Sequence, residues 1–264
     1  MFFYPQLRSE MRREWLVWYS YRFNTISSLV MWGAIFPVLL LILQNVVNTA
    51  EPGQFGVREQ VASLIGFLVW HLCMRVLAEM PEMMAEEART GTLESVVVSS
   101  QISLVQLLLL RVLARSTRSV LETILLGVVL AWLFDLPLAM SLTAVVVVTI
   151  TLLGTWGVGL LLMGLALLHK AVGSVTSLVT NLAFLVSGAF VPINGLGWLF
   201  TFLKLFFPTT WGIDLLRQAM LDGFVAGASL LGLASQTVLL LGSGIFIFRW
   251  TLKLAKERGV LGSY

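Results

Sequence analysis

Stretches of about twenty apolar residues recur along this chain, and they limit its fold more than any other feature. From Thr25 to Val47 no Asp, Glu, Lys or Arg occurs. A helix rises 1.5 Å per residue, so about 20 residues cross a hydrocarbon core of about 30 Å. Helices suit that medium because they pair their own backbone N–H and C=O groups. Comparable stretches lie at about 61–78, 119–134, 142–168, 171–190 and 229–248. Hydrophobic residues form 58 % of the 264 and charged ones 12 %, against about 45–50 % and about 25 % in soluble domains. The expectation is an all-α integral membrane protein of six spans, with Pro37 kinking the first. That first apolar run lacks a small-residue cleavage site and reads as a span, not a signal.

Positive charge orients the spans. Fourteen of the 17 Lys and Arg residues fall on one proposed face: Arg8, Arg12, Arg13, Arg22, Arg75, Arg89, Arg111, Arg115, Arg118, Lys170, Arg249, Lys253, Lys256 and Arg258. Only Arg58, Lys204 and Arg217 fall on the other. The excess marks the cytosolic side and places both termini there. Residues 1–23 interleave arginines with Trp15, Trp18, Tyr19 and Tyr21, and Leu7, Met11, Trp15, Trp18 and Arg22 keep helical spacing. An interfacial amphipathic helix is expected, followed by one transmembrane domain over 24–264. The segment 104–134 is too long for one span. Arg111, Arg115 and Arg118 put its first half in or near the interface, with the third span starting at Ser119.

The stretch 79–100 lies outside the apolar runs and carries five glutamates. Pro81 reads as a first helical residue, and Glu82, Glu86 and Glu87 as acids near the positive end of a short helix. Glu86 and Arg89 are spaced to pair, Gly91 to stop the helix, and Ser103 with Gln106 to cap a new one. Such an element is a handle for a cytosolic partner. Residues 191–227 are apolar but broken by Pro192, Gly195, Gly197, Pro208 and Gly223. Two half-length pieces, 198–207 and 210–221, read as a re-entrant pair on the outer side, held by an Asp214–Arg217 pair. Gly154, Gly157, Gly159 and Gly164 in the fourth span allow close helix approach. Ser174, Ser177, Asn181 and Ser187, with Thr180 beside them, form a polar stripe on the fifth. It either lines a path or bonds to neighbouring helices. Glu122 is expected to pair with Arg118, and His71 and Cys73 to be packed. One cysteine excludes an internal disulfide, and no H-E-x-x-H or G-x-S-x-G motif supports a membrane enzyme.

Three segments resemble the membrane subunits of ABC-2 type transporters. They are Glu86-Glu87-Ala88-Arg89-Thr90-Gly91-Thr92-Leu93-Glu94 after the second span, Ser187-Gly188-Ala189-Phe190-Val191-Pro192 leaving the fifth, and Phe207-Pro208-Thr209-Thr210-Trp211 with Asp214, Leu215 and Arg217. The resemblance implies an N-terminal connector helix and a cytosolic coupling helix between spans 2 and 3, and outer re-entrant helices between spans 5 and 6. It makes Glu82, Glu86, Glu87, Arg89, Gly91, Thr92 and Glu94 the ATPase-coupling residues. Ser174, Ser177, Thr180, Asn181 and Ser187 then line the path, and Pro192, Pro208, Asp214 and Arg217 form the outer gate. It further implies a dimer with a second copy or a homologous permease, in a bacterial cytoplasmic (inner) membrane, bound to two cytosolic ABC ATPases. The chain has no G-x-x-x-x-G-K-[ST] phosphate loop. ATP and Mg therefore belong to the partner ATPase, and this chain is expected to carry no cofactor, metal or nucleic acid and to be no enzyme itself. The implied cargo is a hydrophobic or amphipathic drug-like molecule or lipid exported from the cytosol or inner leaflet. A lipid-linked polysaccharide is the alternative cargo, and a secondary transporter or assembly subunit the alternative class.

Overall fold

The computed structural model describes residues 3–50, 55–89, 104–138, 140–168, 173–189, 198, 202 and 204–257. The elements among them are all helical: α1 (Phe3–Ser20), α2 (Arg22–Ala50), α3 (Val57–Arg89), α4 (Leu104–Leu133), α5 (Leu142–Leu168), α6 (Gly173–Val186), α7 (Pro208–Arg217), a π-helical turn (Gln218–Asp222) and α8 (Gly227–Glu257). Five of them, α2, α3, α4, α5 and α8, are long and apolar enough to cross a membrane. Pro37 lies inside α2.

Several expected boundaries are corrected. The helix of the second span does not stop at Ala78: α3 continues through Pro81 to Arg89, about 50 Å in all. Pro81 is therefore not a helix start. Its missing N–H costs one helical hydrogen bond, and the turn around it is held by packing. Met80, Met83 and Met84 are buried in a cluster with Val105, Leu108 and Val112 of α4 and Leu160 and Met163 of α5. Glu82, Glu86 and Glu87 consequently sit in the last turns of α3, at its negative end. The expected interfacial half and third span belong to one continuous helix, α4, of 30 residues, about 45 Å long. The fifth stretch is described as a helix only over Gly173–Val186. Its 14 residues rise about 21 Å, short of a full crossing.

The centre is α5, which packs on α3, α7 and α8. Its glycines do what their spacing suggests. A Cβ on Gly157 would lie 2.4 Å from the carbonyl carbon of Leu240 in α8, and one on Gly244 would lie 2.4 Å from the Gly157 oxygen. The two backbones touch directly. Lipid tails are as apolar as leucine, so close packing and interhelical hydrogen bonds hold helices together in a bilayer. Two such bonds tie α5 to its neighbours, one to α8 and one to α4. Thr237 Oγ1 donates to the Ile150 carbonyl at 3.1 Å, and Trp156 Nε1 donates to Ser116 Oγ at 2.9 Å.

Replacing Gly157 with Leu forces α5 and α8 apart and should destabilise by about 1–3 kcal/mol or more. Gly242, with open space around its Cβ position, is the control on the same helix pair. Thermal unfolding in detergent should show a lower Tm for Gly157→Leu and little change for Gly242→Leu.

Candidate functional site

Two features stand out: a ladder of buried ion pairs at one end of the helices, and a cavity that opens beside it. The ladder joins α1, α3 and α4. From α4, Arg111 Nε lies 3.3 Å from Glu10 of α1, Arg115 Nε lies 3.3 Å from Glu14, and Arg118 Nη1 lies 3.4 Å from Glu14. Arg118 also reaches Glu79 of α3 at 3.1 Å, and Arg111 pairs closely with Glu87. Arg75 bonds Glu79 at 3.0 Å and pairs closely with Glu122. Arg13 closes the α1 side on Glu10 and Glu14, both at 3.5 Å. Among the described residues, Arg13, Arg75, Arg111, Arg115 and Arg118 thus meet Glu10, Glu14, Glu79, Glu87 and Glu122, five charges against five.

The geometry of the ladder follows from helical spacing. Positions 111, 115 and 118 share one face of α4, and 10 and 14 share one face of α1. Two helices laid side by side match these charges turn for turn. Glu122 has Arg118 at 3.8 Å, the expected partner, but the closer one is Arg75. Glu10 and Glu14 were absent from the residues chosen from sequence. Two acids four apart in an otherwise basic segment were the available signal.

The cavity, about 570 Å³, lies between α2, α3 and α6. Trp32, Trp70 and Phe184 line it, together with His71, Arg75, Thr180 and Asn181. Trp32 and Trp70 meet edge to face with centroids 5.6 Å apart, and Trp70 and Phe184 are 5.0 Å apart. His71 stands against Trp32 at 5.0 Å, and its Nδ1 is 3.4 Å from Thr123 Oγ1. The packed role expected for His71 and Cys73 agrees with their burial.

At the opposite end, Arg217 binds three carbonyl oxygens. Its Nε, Nη1 and Nη2 donate to Ala62 (2.9 Å), Gly188 (2.9 Å) and Ala189 (2.6 Å). The expected partner Asp214 acts on Arg217 through its charge, but the hydrogen-bond partners of the guanidinium are these three backbone acceptors. Gly66 makes room, since a Cβ there would lie 2.0 Å from the Ala189 oxygen. Pro208 occupies the first turn of α7, and Asp214 is partly buried in the same helix.

The other residues singled out from sequence are scattered. Glu82 and Glu86 are exposed on α3, and Glu87 belongs to the ladder. The Arg89 side chain and residues Gly91, Thr92, Glu94 and Pro192 lie outside the described residues. The polar stripe divides. Ser174, Ser177 and Asn181 are exposed on α6, while Thr180 Oγ1 bonds back to the Thr176 and Ser177 carbonyls, both at 3.0 Å. Ser187 is buried, donating to the Phe184 carbonyl at 2.8 Å and accepting from the Ala189 N–H at 3.2 Å. Among the described residues, no group of three or more His, Cys, Asp or Glu is placed to hold a metal.

Comparison with known families matches residues 5–221 to the model described as "ABC-2 type transporter". No curated protein matches the chain.

Glu14 and Arg118 are well enough shielded that losing either strands a charge. Glu14→Ala and Arg118→Ala should each destabilise by about 3 kcal/mol. The double variant should cost at least about 1 kcal/mol less than the sum. Denaturant unfolding of the purified chain in micelles measures all three, and strict additivity would mean the two side chains do not interact.

Proposed function

The chain belongs to the ABC-2 type transporter family, and from that premise we propose that it is the membrane permease half of an ATP-driven exporter. It is a multi-pass membrane protein and a transport permease component, not itself an ATPase. In the fuller reading two permeases, identical or homologous, bind two separate ATPases that carry ATP and Mg. The membrane is the bacterial inner membrane and both termini are cytosolic. Helix α6 with its flanking residues supplies the sixth span. Helix α1 is the connector, 79–100 the coupling region, and 191–227, including α7, the outer re-entrant region.

The observation that carries this reading is the ladder. It fastens α1, the end of α3 and the start of α4 into one unit at the end where α3 leads into residues 90–103. A push delivered to that connection is transmitted to two long helices together, which is what coupling ATP hydrolysis to a membrane path requires. Glu82 and Glu86, exposed beside the ladder, supply the docking charges. Ser174, Ser177 and Asn181, exposed on α6, face the path at the interface of two permeases, and Arg217 holds the outer gate. Mild, uncharged polarity on that face suits a hydrophobic or amphipathic cargo.

Purification of the tagged chain from its native host should bring down a stoichiometric ATPase. Lysine at both Glu82 and Glu86 should abolish that association without loss of membrane insertion. A complex that survives both substitutions removes the docking assignment. Tryptophan at Ser177 or Asn181 should lower ATP-dependent transport at least tenfold in an assembled complex. Unchanged transport would return the stripe to helix packing.

A further inference from the structure

Arg75 alone, among the described residues, both lines the aromatic cavity and stands in the ion-pair ladder. Its guanidinium is divided between the two. Nε bonds Glu79 and Nη1 faces Glu122, while Nη2 donates no hydrogen bond among the described residues. The same cavity holds a second kind of surface, the contiguous rings of Trp32, Trp70 and Phe184. Its volume of about 570 Å³ is that of a small-molecule site, where apolar walls hold a ligand and a few polar groups orient it.

The geometry points to Arg75 as the head-group contact for a single-chain amphiphile whose polar end is uncharged and carries oxygen acceptors, such as an ester or glycerol. The apolar chain lies against Trp32, Trp70 and Phe184, and an ester or hydroxyl oxygen accepts from Nη2. The charge balance selects against ions. The ladder around Arg75 already holds five arginines and five glutamates. A carboxylate or ammonium brought to this apolar place adds an uncompensated charge, which is expensive there. A neutral acceptor adds none and uses a donor that is spare. Binding also has a consequence for the ladder. A head group on Nη2 draws the guanidinium toward the cavity and away from Glu122 and Glu79, so occupancy is felt by α4 and, through Arg118 and Glu14, by α1. The inference rests on the permease reading only in calling the ligand cargo.

The test needs no ATPase. The purified full-length chain in phosphatidylcholine nanodiscs, whose two-chain lipid is too bulky for the cavity, is photolabelled with a monoacylglycerol bearing a diazirine in its chain. Parallel samples receive the matching fatty acid, the alkylammonium and the hydrocarbon without a head group. Peptide mass spectrometry should find the monoacylglycerol on segments around Trp32, Trp70 and Phe184 at least fivefold above the other three. Unlabelled monoacylglycerol should protect them and dodecylamine should not. Arg75→Gln should lower labelling to the hydrocarbon's level, and Arg75→Lys, which keeps a donor, should restore part of it. Equal labelling by the hydrocarbon, preference for either charged compound, or wild-type labelling of an Arg75→Gln chain that elutes and melts normally overturns the assignment. Selective labelling by a chain that brings down no ATPase leaves the site standing and sinks the exporter reading instead.

Discussion

Everything at one end of this molecule depends on the pairing of buried guanidinium and carboxylate groups. A charge withdrawn from water loses several kcal/mol of solvation, so none of Glu14, Arg111 or Glu122 is buried without its counter-charges. A buried pair adds little net stability over a well-packed apolar one. Breaking it costs much more, because one charge is left behind. The result is a specific fit. α1 has one register on α4 in which Glu10 and Glu14 meet Arg111, Arg115 and Arg118, and a shift by one turn leaves a charge exposed to apolar surroundings.

A different physics holds the rest. Along α5 and α8 the contact is backbone on backbone at Gly157 and Gly244, with a hydroxyl hydrogen bond from Thr237 beside it. No charge is involved. At the end away from the ladder, Arg217 gathers carbonyl oxygens from the start of α3 and from the turn after α6. It supplies donors to a bend whose backbone acceptors have no helical partners. By contrast α2 is mostly exposed and meets α3 and α4 over a short length. The aromatic cavity lies along that lightly held side.

Much of this was legible in the sequence where the pattern is local. The uncharged runs gave α2 and α5 nearly to the residue, and the glycines of α5 were readable as close-approach positions. The motif-like segments pointed to the family that residues 5–221 match. The errors share one cause. Charges at Arg111, Arg115 and Arg118 were read as markers of an interface, because the acids of α1 that they meet stand far away in sequence. Their partners are remote: Arg115 meets Glu14 across 101 positions. Neutralised in this way, they do not interrupt α4. At Arg217 the acid three residues back was legible, but the carbonyl partners were not. Carbonyl oxygens are carried by every residue, so no side-chain pattern reveals which three converge. The roles of Ser174, Ser177 and Asn181 were not legible either, since a serine facing a path and a serine facing a neighbour look alike in one chain.

The separation of the ladder's two sides sets an order on biogenesis. Glu10 and Glu14 leave the ribosome about a hundred residues before Arg111 and Arg115. During that interval α1 has Arg13 beside its acids but not their partners on α4, while its other arginines and aromatic rings are already able to hold it at the membrane surface. It waits there until α4 is delivered, and only then do its carboxylates leave water. α1, made before α2 and α3, is therefore seated only after α4, and its docking reports that the third long apolar helix has been inserted.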